Sequence, residues 1–176
     1  MLLTRSSNDN YKTSISSTET KNSEQFGRSI YRVDLPKVLF VKDHPNSVFP
    51  TRGNNFAVGY DLTAISVGKV VDSMTTLYDT GLVCKPSQGY YTEILPRSSL
   101  IKTGYMLSNS VGIIDPDYRG RLMISLTKVN PNAPDLTLPF TKCQLVLRRF
   151  EEYDVEEVEN LDKTERGSGG FGSTDK

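Results

Sequence analysis

Histidine, cysteine and tryptophan are nearly missing from this chain: one His, two Cys and no Trp in 176 residues. With a single histidine there is no H-x-x-x-H and no Cys/His cluster for zinc, and a Ser-His-Asp relay would have to use His44. His44 lies in the turn-like run K-D-H-P-N-S and reads as a solvated loop residue. Cys84 and Cys143 show no C-x-x-C spacing, which fits buried reduced thiols rather than a disulfide framework or redox pair. Charge of one sign is also lacking, since 21 basic residues balance 21 acidic ones. No global field then draws a nucleic acid or an anionic membrane, and any anion must be gripped locally. No apolar run is long enough to span a bilayer, so the expectation is a soluble protein inside the cell, cytoplasmic or nuclear. A metal, if used, should be a hard, oxygen-liganded ion such as Mg²⁺ brought by phosphates.

What is present begins with a polar leader. Residues 1–29 are rich in Ser, Thr, Asn, Glu and Lys and hold too little apolar surface to offset ordering entropy, which predicts disorder. From about residue 30 to 150 the pattern is short β-rich runs cut by turn residues: 38–41, 56–62, 90–95, 111–114, 121–126 and 144–150. Helical periodicity exceeds a turn or two only around 151–163. Many short strands with Pro and Gly between them predict an all-β fold, a β-sandwich or barrel. Residues 151–165 carry eight acidic side chains and read as a solvated linker.

The last eleven residues, 166–176, are R-G-S-G-G-F-G-S-T-D-K. Glycines let successive backbone N–H groups converge on an anion, while Arg166, Ser168, Ser173 and Thr174 add donors. Phe171 supplies a flat apolar face on which a nucleobase can stack. A Walker-type loop is excluded, because no helix can follow Thr174 with only two residues left. Two readings stay open on composition alone: a flexible tail, or an arm that folds over a nucleotide held elsewhere.

Four further strings stand out: G-Y-D-L-T-A at 59–64, P-R-S-S-L at 96–100, N-S-V-G-I-I-D-P-D-Y-R-G at 109–120 and C-Q-L at 143–145. Each alone could be an ordinary turn or loop. Together with the terminal arm they form an ordered five-part pattern over residues 35–176 that resembles the trimeric dUTP pyrophosphatases (dUTPases). The resemblance implies a jelly-roll-like homotrimer with sites shared between subunits, acting on dUTP with Mg²⁺ to give dUMP and pyrophosphate by water attack on the α-phosphorus.

The same resemblance assigns roles. Asp115 matches the catalytic carboxylate that activates water, and Tyr118 the aromatic packed under deoxyribose. Gly112, Ile113 and Ile114 would present backbone to the uracil edge, beside Asn109. Arg97, Ser98 and Ser99 fall in the phosphate-binding string, and Gln144 matches a phosphate-contacting glutamine. Asp61 matches an acidic residue that reaches the metal indirectly, through water. On the arm, Arg166, Ser168, Gly170, Gly172, Ser173 and Thr174 match the γ-phosphate clamp, and Phe171 the ring that stacks on uracil.

Three departures accompany the match. Ser99 replaces a usual glycine, the turn before Gln144 reads Pro139-Phe140-Thr141-Lys142-Cys143 rather than G-D-R-I-A, and Lys128 stands where asparagine is common. The related dCTP deaminases share R-S-S-L, but their proton-shuttling glutamate corresponds to Ser125, which makes deamination the second reading. A non-catalytic relative acting by protein binding is the third.

Overall fold

Alternation with period two decides most of this architecture. In Met123–Lys128 the side chains of Ile124 and Leu126 are fully buried while Met123 and Ser125 lie half-buried on the opposite face. Such a pattern suits an antiparallel strand with one face on a core. The computed structural model describes residues 35–170. Contacts divide the chain into two units, Met1–Leu35 and Pro36–Lys176, and the strands of the described residues belong to the second.

The strands are β1 (Val38–Lys42), β2 (Tyr60–Ala64), β3 (Ser66–Val70), β4 (Thr75–Asp79), β5 (Leu82–Pro86), β6 (Tyr90–Pro96), β7 (Tyr105–Leu107), β8 (Gly112–Ile114), β9 (Met123–Lys128) and β10 (Phe140–Arg149). They form two four-stranded sheets, ordered β2-β10-β6-β8 and β3-β4-β9-β7, and a two-stranded β1-β5 ribbon. Every pairing is antiparallel, and the order crosses between distant strands as expected of a jelly-roll-like fold. The core between the layers contains Leu62, Leu82, Ile94, Leu122, Ile124, Leu126 and Cys143, each no more than 1% exposed. Tyr78 and Phe140 meet edge to face at 4.9 Å, tying the two four-stranded sheets together. Burying one such aliphatic side chain contributes about 1.5–3 kcal/mol.

Several sequence expectations change in the folded chain. Residues 56–59 form no strand, so the second predicted run begins only at Tyr60; Gly59 instead lets the chain pass close to a side chain of β10. Strands β3, β4, β5 and β7 escaped the sequence reading; β3 and β4 expose or half-bury many residues and show no clean alternation. No helix forms at 151–163, where the chain has no regular structure and every residue is exposed. Among the described residues the helical segment is a short 3-10 turn, Ser98–Thr103, closed by Gly104 at φ 76°. Cys84 and Cys143 are buried free thiols, as expected. Burial pushes the Cys143 thiol up to about 12, so it stays protonated. His44 is a half-buried loop residue whose Nδ1 accepts the Asn46 N–H at 3.1 Å.

Candidate functional site

One end of the β2-β10-β6 layer gathers three of the strings that are far apart in sequence. Gln144 on β10 lies opposite Asp61 on β2 and Leu95 on β6, so Asp61, Gln144, Leu95 and, two residues on, Arg97 share one face. Arg97 Nη1 reaches Asp61 Oδ2 at 3.0 Å and donates to the Thr141 carbonyl at 3.2 Å. Its backbone N–H donates to the Lys142 carbonyl at 2.9 Å, which continues the β6-β10 ladder by one residue. Gln144 Nε2 donates to the Pro96 carbonyl at 3.1 Å. Gly59 makes room for that side chain: a Cβ there would collide with Gln144 Oε1. The glycine of the first string is thus explained by packing against the fourth.

Arg97 then caps the entry to the 3-10 turn with extended backbone, leaving Ser98 exposed and Ser99 half-buried at its start. Ser99 needs no positive φ, because among the described residues the one non-glycine with such an angle is Ser110, at 58°. The serine therefore replaces glycine without backbone strain. The cluster of Arg97, Ser98, Ser99 and Gln144 offers a cation and several donors at the edge of solvent, beside one carboxylate. That composition suits an oxyanion, with the guanidinium drawn partly toward Asp61 until an anion competes for it.

The third string forms a separate structure on the sheet's edge. Among the described residues β8 pairs only with β6, with Ile114 opposite Thr92 and Gly112 opposite Ile94. Among them its outer edge presents backbone N–H and C=O groups without a strand partner. Gly112 is buried and lets two neighbours approach: a Cβ there would lie 3.1 Å from the Ile94 Cβ and 3.4 Å from the Asn109 amide nitrogen. Asn109 is therefore held above the strand by the tight turn at Ser110. Ile113 is 63% exposed, and Asp115 is exposed at the strand's end. The Asp115 carbonyl accepts the Tyr118 N–H at 3.1 Å, closing a turn that is further capped by Arg119 Nη1 on the Pro116 and Tyr118 carbonyls, both at 2.8 Å. The Tyr118 ring folds over Gly120, where any Cβ would collide with it, and its hydroxyl donates to the Arg121 carbonyl at 3.2 Å.

The two clusters do not meet within one chain. Ile114 sits opposite Thr92, and Arg97 is five residues further along β6, about 16 Å at the usual rise per residue. Leu95, Val146 and the pair Glu93–Arg148, at 2.9 Å, occupy the face between them. The Arg148 hydrogen bond holds the Glu93 carboxyl below the usual range.

Of the arm, the described part makes its own small turn. Arg166 Nε donates to the Gly169 carbonyl at 3.0 Å, the Gly169 N–H returns to the Arg166 carbonyl at 3.0 Å, and Gly167 takes φ 51°. Ser168 is exposed and Gly170 half-buried, whereas Phe171, Gly172, Ser173 and Thr174 lie outside the described residues. Lys128 now has an explanation: its ammonium pairs with Asp135 at 2.9 Å and lies 5.5 Å from the Tyr105 ring centre, so it serves packing. The sequence reading placed Gly59 in the first string without its packing role, and it did not mark the Thr141 carbonyl.

The dUTPase family model matches residues 46–175. A deoxyuridine 5'-triphosphate nucleotidohydrolase of Wolinella succinogenes is 36% identical over 141 residues, spanning 80% of this chain and 95% of that protein. Among solved structures, a mutant dUTPase of Staphylococcus bacteriophage 80alpha with dUpNHpp superposes with TM-score 0.60 at 17% identity, covering 78% of this chain and 98% of that one. A mutant dUTPase from phage phi11 of S. aureus, described with a coordinated structural Mg(II) ion, superposes with TM-score 0.59 at 16% identity over 72% of this chain and 99% of that one.

Proposed function

The chain belongs to the dUTPase family, and from that membership we propose that it hydrolyses dUTP to dUMP and pyrophosphate at a site assembled between subunits of a homotrimer. The observation that carries the assembly is the spacing along β6. Anion-gripping Arg97 stands five residues along β6, about 16 Å, from Thr92, the partner of Ile114 beside Asp115, with ion-paired side chains between. Bringing one chain's hairpin against another chain's phosphate cluster places both on one nucleotide.

The division of labour follows from the groups. Uracil presents acceptor, donor and acceptor along one edge, and the edge of β8 (Gly112, Ile113, Ile114) turned away from β6 presents backbone N–H and C=O groups of alternate residues, with the Asn109 amide beside them. The exchanged donor and acceptor of cytosine would leave such a strand with unmatched groups. Tyr118, braced by Gly120, packs under the sugar and crowds out a 2′-hydroxyl. Arg97, Ser98, Ser99 and Gln144 hold the phosphates and bear the charge that builds up as the bond to the leaving group breaks. Asp115 accepts a proton from the attacking water. The new P–O bond forms at the α-phosphorus as the bond to the bridging oxygen breaks, and pyrophosphate departs with that oxygen.

Among the described residues no three His, Cys, Asp or Glu side chains gather in a metal cage. One nearby carboxylate, Asp61, suits Mg²⁺ held chiefly by substrate phosphates and water. When bound, that ion offsets phosphate charge and orients the α-phosphate. The arm, through Arg166, Ser168, Gly170, Gly172, Ser173 and Thr174, closes on the γ-phosphate and lays Phe171 on the base, which excludes bulk water. Ser125, mid-strand on β9, offers no carboxylate for deamination. Chromatographic separation of products from dUTP, dTTP, dCTP and UTP with Mg²⁺ tests the proposal. Rapid dUMP formation from dUTP alone is expected, and ammonia release from dCTP at a comparable rate would overturn it.

A further inference from the structure

Arg121 directly follows the string that carries Asp115 and Tyr118, and its guanidinium makes three polar contacts. Its guanidinium spans two other segments: Nε reaches Asp43 Oδ2 at 2.8 Å, Nη2 donates to the Asp43 carbonyl at 2.6 Å, and Nη1 reaches Asp79 Oδ2 at 3.0 Å. Asp43 follows β1. Asp79 ends β4, is 7% exposed, and also accepts the Gly81 N–H at 2.7 Å. The next residue, Leu122, is fully buried; its N–H donates to the Leu82 carbonyl at 2.7 Å, and its carbonyl accepts the Thr80 hydroxyl at 2.9 Å. Arg121 therefore stands where the exposed hairpin enters a fixed core, and its own carbonyl receives the Tyr118 hydroxyl at 3.2 Å.

We infer that Arg121 is a positioning residue for hydrolysis, holding the hairpin so that Tyr118 lies flat under the sugar and Asp115 faces the attacking water. The inference rests on the proposed roles of Asp115 and Tyr118 in dUTP hydrolysis. A fork bound at three points fixes direction as well as distance, which a single point charge does not. The Asp43 carboxylate is 55% exposed, so its pairing adds little to stability and its value is geometric. Loosening the fork lets the Arg121 carbonyl drift, and the Tyr118 hydroxyl with it. Sugar discrimination should suffer along with turnover.

Arg121→Lys tests this in the full-length protein, because the ammonium still neutralises buried Asp79 while the fork is lost. Asp43→Asn, at the exposed partner, is the second variant. Both should keep the wild-type mass and melting temperature. Arg121→Lys should lower kcat on dUTP by roughly ten-fold, leave KM nearly unchanged, and raise the relative rate on UTP. Asp43→Asn should move the same quantities in the same direction by less. Hydrogen exchange across 112–122 should quicken in both variants, while that of β9 and β10 stays as in wild type. Unchanged kcat, unchanged dUTP-to-UTP preference and unchanged exchange, with a wild-type protein that turns over dUTP, would overturn the inference and leave the functional reading intact. A wild-type chain inert toward dUTP would overturn that reading and the inference together.

Discussion

The phosphate cluster and the hairpin share strand β6 but are held in opposite ways. Asp61, Arg97 and Gln144 come from three adjacent strands of one layer, locked by ladders on both sides of β10 and by an ion pair at 3.0 Å. The hairpin is joined to the sheet through a three-residue edge strand, with its turn capped by its own side chains and its root tied by Arg121. The first region is preorganised by backbone pairing, which suits a task of holding charge already present in the substrate. The second is free on its outer edge, which suits a task of meeting a base brought by another chain. An anion site can be built in one layer; a base site needs an unpaired edge.

The sharpest break between the regions is Asp115→Asn, which keeps shape while removing the proton acceptor. Turnover should fall by about 10³-fold, while dUTP-analogue affinity and melting temperature stay close to wild type. Kinetics with a non-hydrolysable analogue as binding control measures this, and near-normal hydrolysis would remove Asp115 from the chemistry. Ending the chain after Glu165 should come next, lowering kcat by roughly 10²-fold through loss of the γ-phosphate donors and the stacked ring. Light scattering and thermal melts should show the assembly unaffected, since none of the described residues removed, 166–170, is buried.

Arg97→Met should lower kcat/KM by roughly 10²-fold, with both KM and kcat affected, because phosphate grip contributes to ground and transition states alike. Its effect on stability should stay under about 1 kcal/mol, since the side chain is 37% exposed and surface pairs contribute little. The smallest effect belongs to the pair lying between the regions. Arg148 depresses the folded-state pKa of Glu93, so the stabilisation is present above the unfolded carboxyl pKa and disappears as pH falls through the depressed folded value. Glu93→Gln should therefore lose less melting temperature than wild type between pH 6 and pH 3, by differential scanning fluorimetry.

The anion cluster was legible through the order of the five strings, since each alone could be an ordinary turn or loop. Asp61, Arg97 and Gln144, from three strings, do meet on one face. The sequence left β3, β4, β5 and β7 hidden: β3 and β4 have mixed or half-exposed faces, while β5 and β7 alternate in burial but are short and carry apolar residues, Val83 and Met106, on the outer face too, which blurs the period-two signal. The helical period noted at 151–163 carries no helix in the segment read as a solvated linker. Tyr153, Val155, Val158 and Leu161 recur at intervals a helix could use, yet they are exposed and face nothing that would reward a helix. Arg121 was illegible because its meaning depends on Asp43 and Asp79, 78 and 42 residues away.

The central claim is that one nucleotide is served by groups from different chains, and mixing two crippled variants tests it most directly. Asp115→Asn and Arg97→Met chains, carried on separate tags, are unfolded together, refolded, and assayed for pyrophosphate release from dUTP. Each chain type supplies the group that the other lacks, so about a third of the sites in mixed trimers, roughly a quarter of all sites in an equal mixture, should regain both, and activity should rise far above either variant alone. Activity of the mixed sample equal to the average of the two variants, from assemblies shown by their tags to contain both, would contradict the account.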